Sequence, residues 1–73
     1  MNERELNLQR SIFAIQRRLM TRGKLFRSEV RLSCLWATDQ EFQNILDAIV
    51  AGGIAIRQSG RRGAEMFVSA VTL

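Results

Sequence analysis

One segment of this 73-residue chain, WATDQEFQNILDAIVAGGIAIR at positions 36–57, limits the possible folds more than any other. Thr38 and Glu41 have the spacing of a capping box, in which the two side chains satisfy free backbone N–H groups at a helix start. Gly52 and Gly53 are typical of a helix end. Between the capping box and the glycine pair, apolar residues recur at helical spacing, at Phe42, Ile45, Leu46 and Ile49. The segment predicts an amphipathic helix that leads directly into a strand.

The chain has no disulfide or zinc site to hold such elements together. Cys34 is its one cysteine, and without histidine the usual Cys/His zinc site cannot form. A chain this short buries only about 60% of its extended surface, so its stability depends on packing. We expect a single domain over residues 6–73 after a flexible tail over residues 1–5. Cys34 is expected in the core as a small apolar residue, and no metal or cofactor is expected.

The N-terminal half predicts a first helix from Leu6 to Met20, which Gly23 would end. Its main apolar stripe consists of Leu8, Ile12, Ile15 and Leu19, at helical spacing. A second line lies more than a quarter-turn away and has seven-residue spacing, at Leu6, Phe13 and Met20. A helix with two apolar lines has two surfaces to cover.

A short second helix is predicted over about Glu29–Cys34, after an extended piece at residues 25–27. Ser28 is the expected N-cap, and Glu29 suits the first turn, where the helix dipole favours an acid. Within this segment Val30 and Cys34 are expected to point inward. The following turn is expected to be anchored by Leu35 and Trp36.

The C-terminal third predicts a β-hairpin. Residues 54–58 and 64–72 are rich in β-branched and aromatic side chains, which favours strands, and SGRRG at 59–63 favours a turn. Three helices followed by a hairpin make an α+β fold with the element order of a winged helix. The main rival is a three-helix helix-turn-helix domain with an irregular tail.

Catalysis is not expected from this composition. General acid–base chemistry usually depends on histidine or on a pair of carboxylates tuned by their surroundings. The chain has no histidine, and Asp39 and Glu41 are explained by the first turn of a helix. Cys34 has no histidine partner that would activate it. We therefore expect a binding protein that acts on no small-molecule substrate.

The charge along the chain is unevenly distributed. The net charge is +4, yet residues 35–56 contain three acids and no base. The predicted exposed face of the third helix carries Gln40, Gln43, Asn44 and Asp47, types that can recognise bases in a major groove. Docking on DNA depends mainly on phosphate contacts by Arg and Lys, which this segment lacks. A solvated face and a protein-binding face are the alternatives to direct groove recognition.

The basic residues cluster outside the third helix. Arg57, Arg61 and Arg62 lie on the predicted hairpin, where arginine forks suit phosphate oxygens. The alternative is that these arginines only keep the hairpin soluble and prevent its edge strand from pairing with another chain. A second cluster, which includes Arg27, runs from the end of the first helix into the second, where helix ends favour cations without any ligand.

The line of Leu6, Phe13 and Met20 is bordered by Arg10 and Arg17, a composition enriched in protein interfaces. In so small a domain, the hairpin is the expected cover for this line, since little other apolar surface is available for the sheet. A partner surface is the alternative. A membrane-surface helix is disfavoured by the acids at its N-terminal end.

In its length, N-terminal segment and charge layout, this basic chain with an acidic third helix resembles the small RNA polymerase-binding transcription inhibitors and antiterminators of lytic phages, of the type encoded by phage Xp10. The resemblance implies binding to the β′ N-terminal region and neighbouring flap of bacterial RNA polymerase. It further implies interference with the initiation factor sigma, readthrough of terminators and a location in the host cytoplasm.

The resemblance identifies no site residues, so these are chosen by expected exposure and charge. Contacts with a protein partner are predicted at Asn2, Glu3, Arg4, Glu5, Leu6 and Arg10. Contacts with nucleic acid or an acidic surface are predicted at Arg27, Arg57, Arg61 and Arg62. The alternative function is a sequence-specific winged-helix DNA-binding repressor. Such a repressor would be a dimer, because one small recognition helix gives little specificity.

Overall fold

The structure, a computed structural model, describes residues 2–70. Within that range, three helices precede or interleave with a three-stranded sheet, so the predicted α+β class is confirmed. The elements are α1 (Glu3–Arg22), β1 (Lys24–Phe26), α2 (Arg27–Leu32), α3 (Asp39–Ala51), β2 (Ala55–Ser59) and β3 (Glu65–Ser69). A 3-10 turn, Arg61–Gly63, joins β2 to β3.

The sheet is antiparallel, with β3 in the centre between β1 and β2. Phe67 on β3 is paired with Leu25 on one side and Arg57 on the other. The sequence predicts the β2–β3 hairpin and an extended piece at residues 25–27, which overlaps β1. It does not predict that this piece joins the sheet as a third strand, because a segment so short shows no strand periodicity. The predicted last strand extends to residue 72; it ends at Ser69, and residues 71 and 72 lie outside the described residues.

The first helix begins earlier than predicted. Residues 3–5, expected in a flexible tail, form the first turn of α1. The Asn2 side chain is the reason, since it accepts a hydrogen bond from the backbone N–H of Glu5 at 2.8 Å and so caps the helix. Glu3 and Glu5 also suit the positive end of the helix dipole. The lack of apolar periodicity in residues 1–5 predicts a tail, but a side-chain cap can start a helix without such periodicity.

The second helix also begins earlier, at Arg27 rather than Glu29. The Glu29 carboxylate accepts a hydrogen bond from the backbone N–H of Phe26 at 3.1 Å, so Ser28 is not the cap. The predicted anchoring of the next turn is half right. Leu35 is largely exposed, whereas Trp36 packs against the core and donates its indole N–H to the Ser11 hydroxyl at 2.6 Å.

The third helix matches its prediction closely. Thr38 accepts a hydrogen bond from the N–H of Glu41 at 3.2 Å, and the Glu41 carboxylate accepts one from the N–H of Thr38 at 3.0 Å. Gly52 is the C-cap, and Gly53 has a φ of 74°, a conformation that favours glycine. The predicted apolar face is buried, at Phe42, Ile45, Leu46 and Ile49.

The core lies between the helices and one side of the sheet. From outside α3, its members are Ile15, Leu19, Leu25, Val30, Cys34, Ala37, Ala55 and Phe67. Val30 and Cys34 point inward as predicted. Burial raises the pKa of the Cys34 thiol and outweighs the nearby Arg31, which lowers it. Cys34 is therefore a packed, protonated core residue.

Candidate interaction surfaces

Each acid of α3 lies beside an arginine from another element. Asp47 forms an ion pair with Arg57 of β2 at 3.1 Å, and Asp39 lies 3.8 Å from Arg31 of α2. Glu41 is paired with Arg4 of α1. The local excess of negative charge that the sequence shows over residues 35–56 is therefore neutralised by arginines that the fold brings to α3.

Arg27 and Arg57, which the sequence presents as free contacts, are engaged within the protein. The Glu65 carboxylate Oε1 lies between them, 3.7 Å from Nη1 of Arg27 and 3.6 Å from Nε of Arg57. The guanidinium carbon of Arg27 lies 5.1 Å from the centroid of the Phe42 ring, and that of Arg57 lies 5.6 Å from the centroid of Phe67. Both arginines therefore cover the edge of the core, and neither is an unpaired cation.

The polar side chains of α3 are hydrogen-bonded to one another. Gln40 donates to Asn44 at 3.1 Å, and Gln43 donates to Asp47 at 3.3 Å. Gln43 also accepts from Arg27 at 3.4 Å. The result is a neutral polar surface whose amides already have partners, so contact with base edges would require these bonds to be exchanged.

Glu41 joins the start of α3 to the start of α1. Its pKa is lowered, first by the hydrogen bond from the backbone N–H of Thr38 and then by the Arg4 guanidinium. A carboxyl whose pKa is depressed by folding stabilises the folded state above its ordinary pKa and loses that contribution as the pH falls through the lowered value. This capping contribution is therefore fully present at neutral pH.

The net charge is carried by side chains outside these ion pairs. Residues 2–70 contain all 11 basic and all seven acidic side chains, and within this range five of the basic side chains lie within 4.0 Å of an acid and five of the acids are paired in this way. Six bases and two acids remain, a difference equal to the net charge of +4. The remaining acids are Glu3 and Glu5, and the remaining bases are Arg10, Arg17, Arg18, Lys24, Arg61 and Arg62. The positive field thus comes from α1, its C-terminal end and the hairpin tip.

The hairpin tip presents Arg61 and Arg62 to solvent. Arg62 has a φ of 61°, which is uncommon for a residue other than glycine, and Gly63 follows with a φ of 74°. Within residues 2–70, neither arginine has an ion-pair partner. The tip is the part of the predicted nucleic-acid or acidic-surface set that remains free, since Arg27 and Arg57 are paired.

The outward face of α1, defined here by Leu6, Phe13 and Met20, is exposed to solvent. The exposed fractions are 38% for Leu6, 64% for Phe13 and 62% for Met20. The prediction that the hairpin covers this line is wrong, because the sheet packs against the opposite face of α1, where Ile15 and Leu19 are buried. The adjoining surface depression is lined by four arginines and no acid: Arg10, Arg17, Arg18 and Arg22.

A groove of about 430 Å³ runs between the N-terminal part of α1 and α3. Its apolar lining includes Leu8, Ile12 and Trp36. The predicted protein contacts Asn2, Arg4 and Glu5 lie along it, whereas Leu6 and Arg10 line the depression on the outward face. The predicted set is thus divided between two surfaces of one helix. The predicted set of protein contacts omits Phe13, Met20 and Arg17 of the outward face. Two signals in the sequence pointed to them: the seven-residue apolar spacing and the bordering arginines.

Comparison with known proteins finds no match among family models, curated proteins or solved structures. In the described part of the chain, no helix is both long and apolar enough to cross a membrane. Over the same residues, the Cys, Asp and Glu side chains form no group of three that could hold a metal ion. The geometry of the two α1 surfaces, α3 and the hairpin tip is therefore the basis for a functional proposal.

Proposed function

We propose that this chain is a transcription regulator that binds a protein partner, bacterial RNA polymerase, with the outward face of α1 as the contact surface. The observation that carries the proposal is the row of exposed Leu6, Phe13 and Met20 beside two unpaired arginines, Arg10 and Arg17. Aromatic residues, methionine and arginine are the types enriched in protein interfaces.

The exposed row is costly to leave in water. Burying a large apolar side chain contributes about 1.5–3 kcal/mol relative to exposure, and contiguous apolar patches on a monomer often mark interaction sites. Phe13 lies at the middle of the row, where an interface hot spot is expected. A partner that covers all three side chains would gain most of its affinity there.

The polar face of α3 is poorly suited to bind DNA, which favours a protein partner. Its acids are paired with arginines and its amides are hydrogen-bonded to each other, so it offers few free groups to DNA. Binding to DNA is driven mainly by cations that neutralise phosphates. The unpaired bases lie on α1 and at the hairpin tip instead.

The identity of the partner follows from the resemblance to phage transcription inhibitors and antiterminators. In this proposal the protein contacts the β′ N-terminal region and the flap, inhibits initiation by interfering with sigma and promotes readthrough of terminators. The hairpin arginines, Arg61 and Arg62, would then contact nucleic acid or an acidic surface near the main interface.

Replacing Phe13 and Met20 together by alanine should weaken binding to core RNA polymerase by roughly 10- to 100-fold, since hot-spot truncations cost more than about 1 kcal/mol each. The measurement is biolayer interferometry with immobilised polymerase, together with a promoter-dependent transcription assay. Both residues are exposed, so the melting temperature should change little.

The matched control is Leu32→Ala with Leu35→Ala, which removes two apolar side chains that are 61% and 70% exposed elsewhere on the surface. This pair should bind polymerase like the unmodified chain. Equal loss in both double variants would mean that the outward face of α1 is not the contact. Absence of binding by the unmodified chain would exclude polymerase as the partner.

A winged-helix DNA-binding repressor is the second candidate, favoured by one observation. The arginines beside α3 neutralise its acids, which removes the repulsion from phosphate that the sequence suggests. Gln40 and Asn44 are exposed on that helix and are types that recognise bases. The strand order, with β3 between β1 and β2, is compatible with this candidate.

Titration of fluorescent duplex DNA at two salt concentrations separates the two candidates. If the protein is a polymerase-binding regulator, the duplex should bind weakly, without sequence preference, and Arg61→Ala with Arg62→Ala should reduce the salt slope by about 2, one unit per lost phosphate contact. Tight, sequence-dependent binding that is abolished by Gln40→Ala and Asn44→Ala would instead establish the repressor.

A further inference from the structure

From the shape and charge of the outward face of α1 we infer the kind of element that binds there: an amphipathic helix with acidic residues along one flank. The inference rests on the proposed function in using the same face as an interface. It does not depend on the partner being RNA polymerase, because the chemistry of the face is independent of the partner's identity.

The shape of the face points to a helix. Leu6, Phe13 and Met20 are spaced by seven residues, a repeat that drifts only about 20° per step around an α-helix. The row therefore stays on one side of α1 and extends over about 21 Å at 1.5 Å per residue. A straight apolar row of this length is complementary to a second helix laid alongside it, with its own apolar residues at heptad spacing.

The charge of the face points to an acidic flank. Arg10 and Arg17 each follow an apolar residue by four positions and border the row on one side, while Gln9 and Gln16 border it on the other. Among the described residues, Arg10 and Arg17 have no ion-pair partner, and no acid lines the depression beside the row. Two acids spaced by about two helical turns, roughly 10 Å, would meet both guanidinium groups.

A second copy of this chain fits the face less well. In an antiparallel pair centred on Phe13, Leu6 of each copy would meet Met20 of the other, but Arg10 would also lie beside Arg17 of the other copy, twice. In a parallel pair, Arg10 and Arg17 of each copy would face Gln9 and Gln16 of the other copy, which offer no negative charge. Neither arrangement places an acid opposite Arg10 and Arg17.

The test is fluorescence anisotropy of two synthetic peptide helices titrated with the full chain. The first peptide has leucine at the a and d positions of three heptads and glutamate along one flank, and the second has lysine in place of every glutamate. We expect the glutamate peptide to bind at least about 10-fold more tightly than the lysine peptide, since two ion pairs distinguish them.

The decisive variant is Arg10→Glu with Arg17→Glu, which should reverse the preference so that the lysine peptide binds more tightly. Its control is Arg61→Glu with Arg62→Glu, which changes the net charge by the same amount at the hairpin tip and should leave the preference unchanged. In a methyl-resolved NMR spectrum, the glutamate peptide should shift the signal of Met20 and leave that of Met66 in place.

Several results would overturn the inference: no binding of either peptide, equal binding of both, or equal loss of preference in the two double variants. Self-association that is abolished by Phe13→Ala in sedimentation experiments would assign the face to a second copy. Tighter binding to phosphatidylserine vesicles than to the glutamate peptide would assign it to a membrane surface. If the Arg10→Glu, Arg17→Glu variant reverses the peptide preference but the unmodified chain does not bind polymerase, only the proposed function is contradicted. If polymerase binding survives this double substitution, only the inference is contradicted.

Discussion

Replacement of Phe67 by alanine should lower the free energy of unfolding by about 3–5 kcal/mol, a large part of the total stability of a domain of this size. Phe67 is fully buried on the central strand β3, with Leu25 and Arg57 as its paired neighbours. Truncating a buried phenylalanine costs about 3–5 kcal/mol, whereas a domain of this size has a total stability of about 4–11 kcal/mol. The structure offers no disulfide to limit the loss, since Cys34 is a free thiol. Urea denaturation followed by circular dichroism and Trp36 fluorescence is the measurement.

Phe13→Ala is the matched control, because it removes the same side chain from the exposed face of α1. Its free energy of unfolding should stay within about 0.5 kcal/mol of the unmodified chain, as for other exposed substitutions. If both variants lost stability equally, Phe13 would have to be buried too, and the outward face of α1 would not exist as a surface. The pair of variants therefore tests the assignment of one aromatic to the core and of the other to solvent.

The elements that were predicted accurately have signals contained in a few neighbouring residues. The capping box at Thr38 and Glu41, the apolar spacing of α3 and the glycine pair at its end all act within one helix. The β2–β3 hairpin is similar, since its strands and turn are adjacent in the chain. Where local chemistry decides the structure, the sequence was sufficient to predict both the type of element and its approximate bounds.

The electrostatics of α3 depended on residues far apart in the chain. The arginine partners of Asp39, Asp47 and Glu41 are separated from them by eight, ten and 37 positions. A count of charges within one segment therefore overestimates the negative field around α3. The starts of α1 and α2 were missed for a related reason. Each is set by a hydrogen bond that a single side chain, Asn2 or Glu29, accepts from a backbone N–H, and such a bond leaves no periodic signal.

The outward face of α1 shows a different limit. Apolar residues with regular spacing predict an apolar side of a helix, but they do not say what covers it. Ile15 and Leu19 of the main stripe are buried, Leu8 of the same stripe is partly exposed, and Phe13 and Met20 of the second line are the most exposed of the set. The direction in which the sheet packs on α1 decided this outcome, and both β1 and β3 contact that helix.

Replacing Arg31 by alanine should destabilise the protein by about 2–4 kcal/mol. Its two hydrogen bonds would contribute about 1.5–3 kcal/mol each, and the 29% exposure of the side chain to solvent reduces that sum. The guanidinium donates to the backbone carbonyls of Cys34 at 2.6 Å and Ala37 at 2.7 Å, in the turn between α2 and α3. Cys34 would keep its bond from the N–H of Ala37, at 3.1 Å, but the carbonyl of the buried Ala37 would lose this donor. Arg31→Lys should recover less than half of the loss, because an ammonium group does not have the fork that reaches both carbonyls.

The comparison with Arg27→Ala, measured by the same urea denaturation, decides what Arg31 does. Both guanidinium groups lie about equally far from the Phe42 ring, at 5.1 Å for Arg27 and 5.0 Å for Arg31. Arg27 forms its hydrogen bond with the side chain of Gln43, whereas Arg31 bonds to the backbone of the turn. If contact with the ring were the main contribution, the two alanine variants would lose similar stability. If the backbone bonds dominate, as we expect, Arg27→Ala should cost no more than about 1 kcal/mol, the range of an exposed ion pair or cation–π contact.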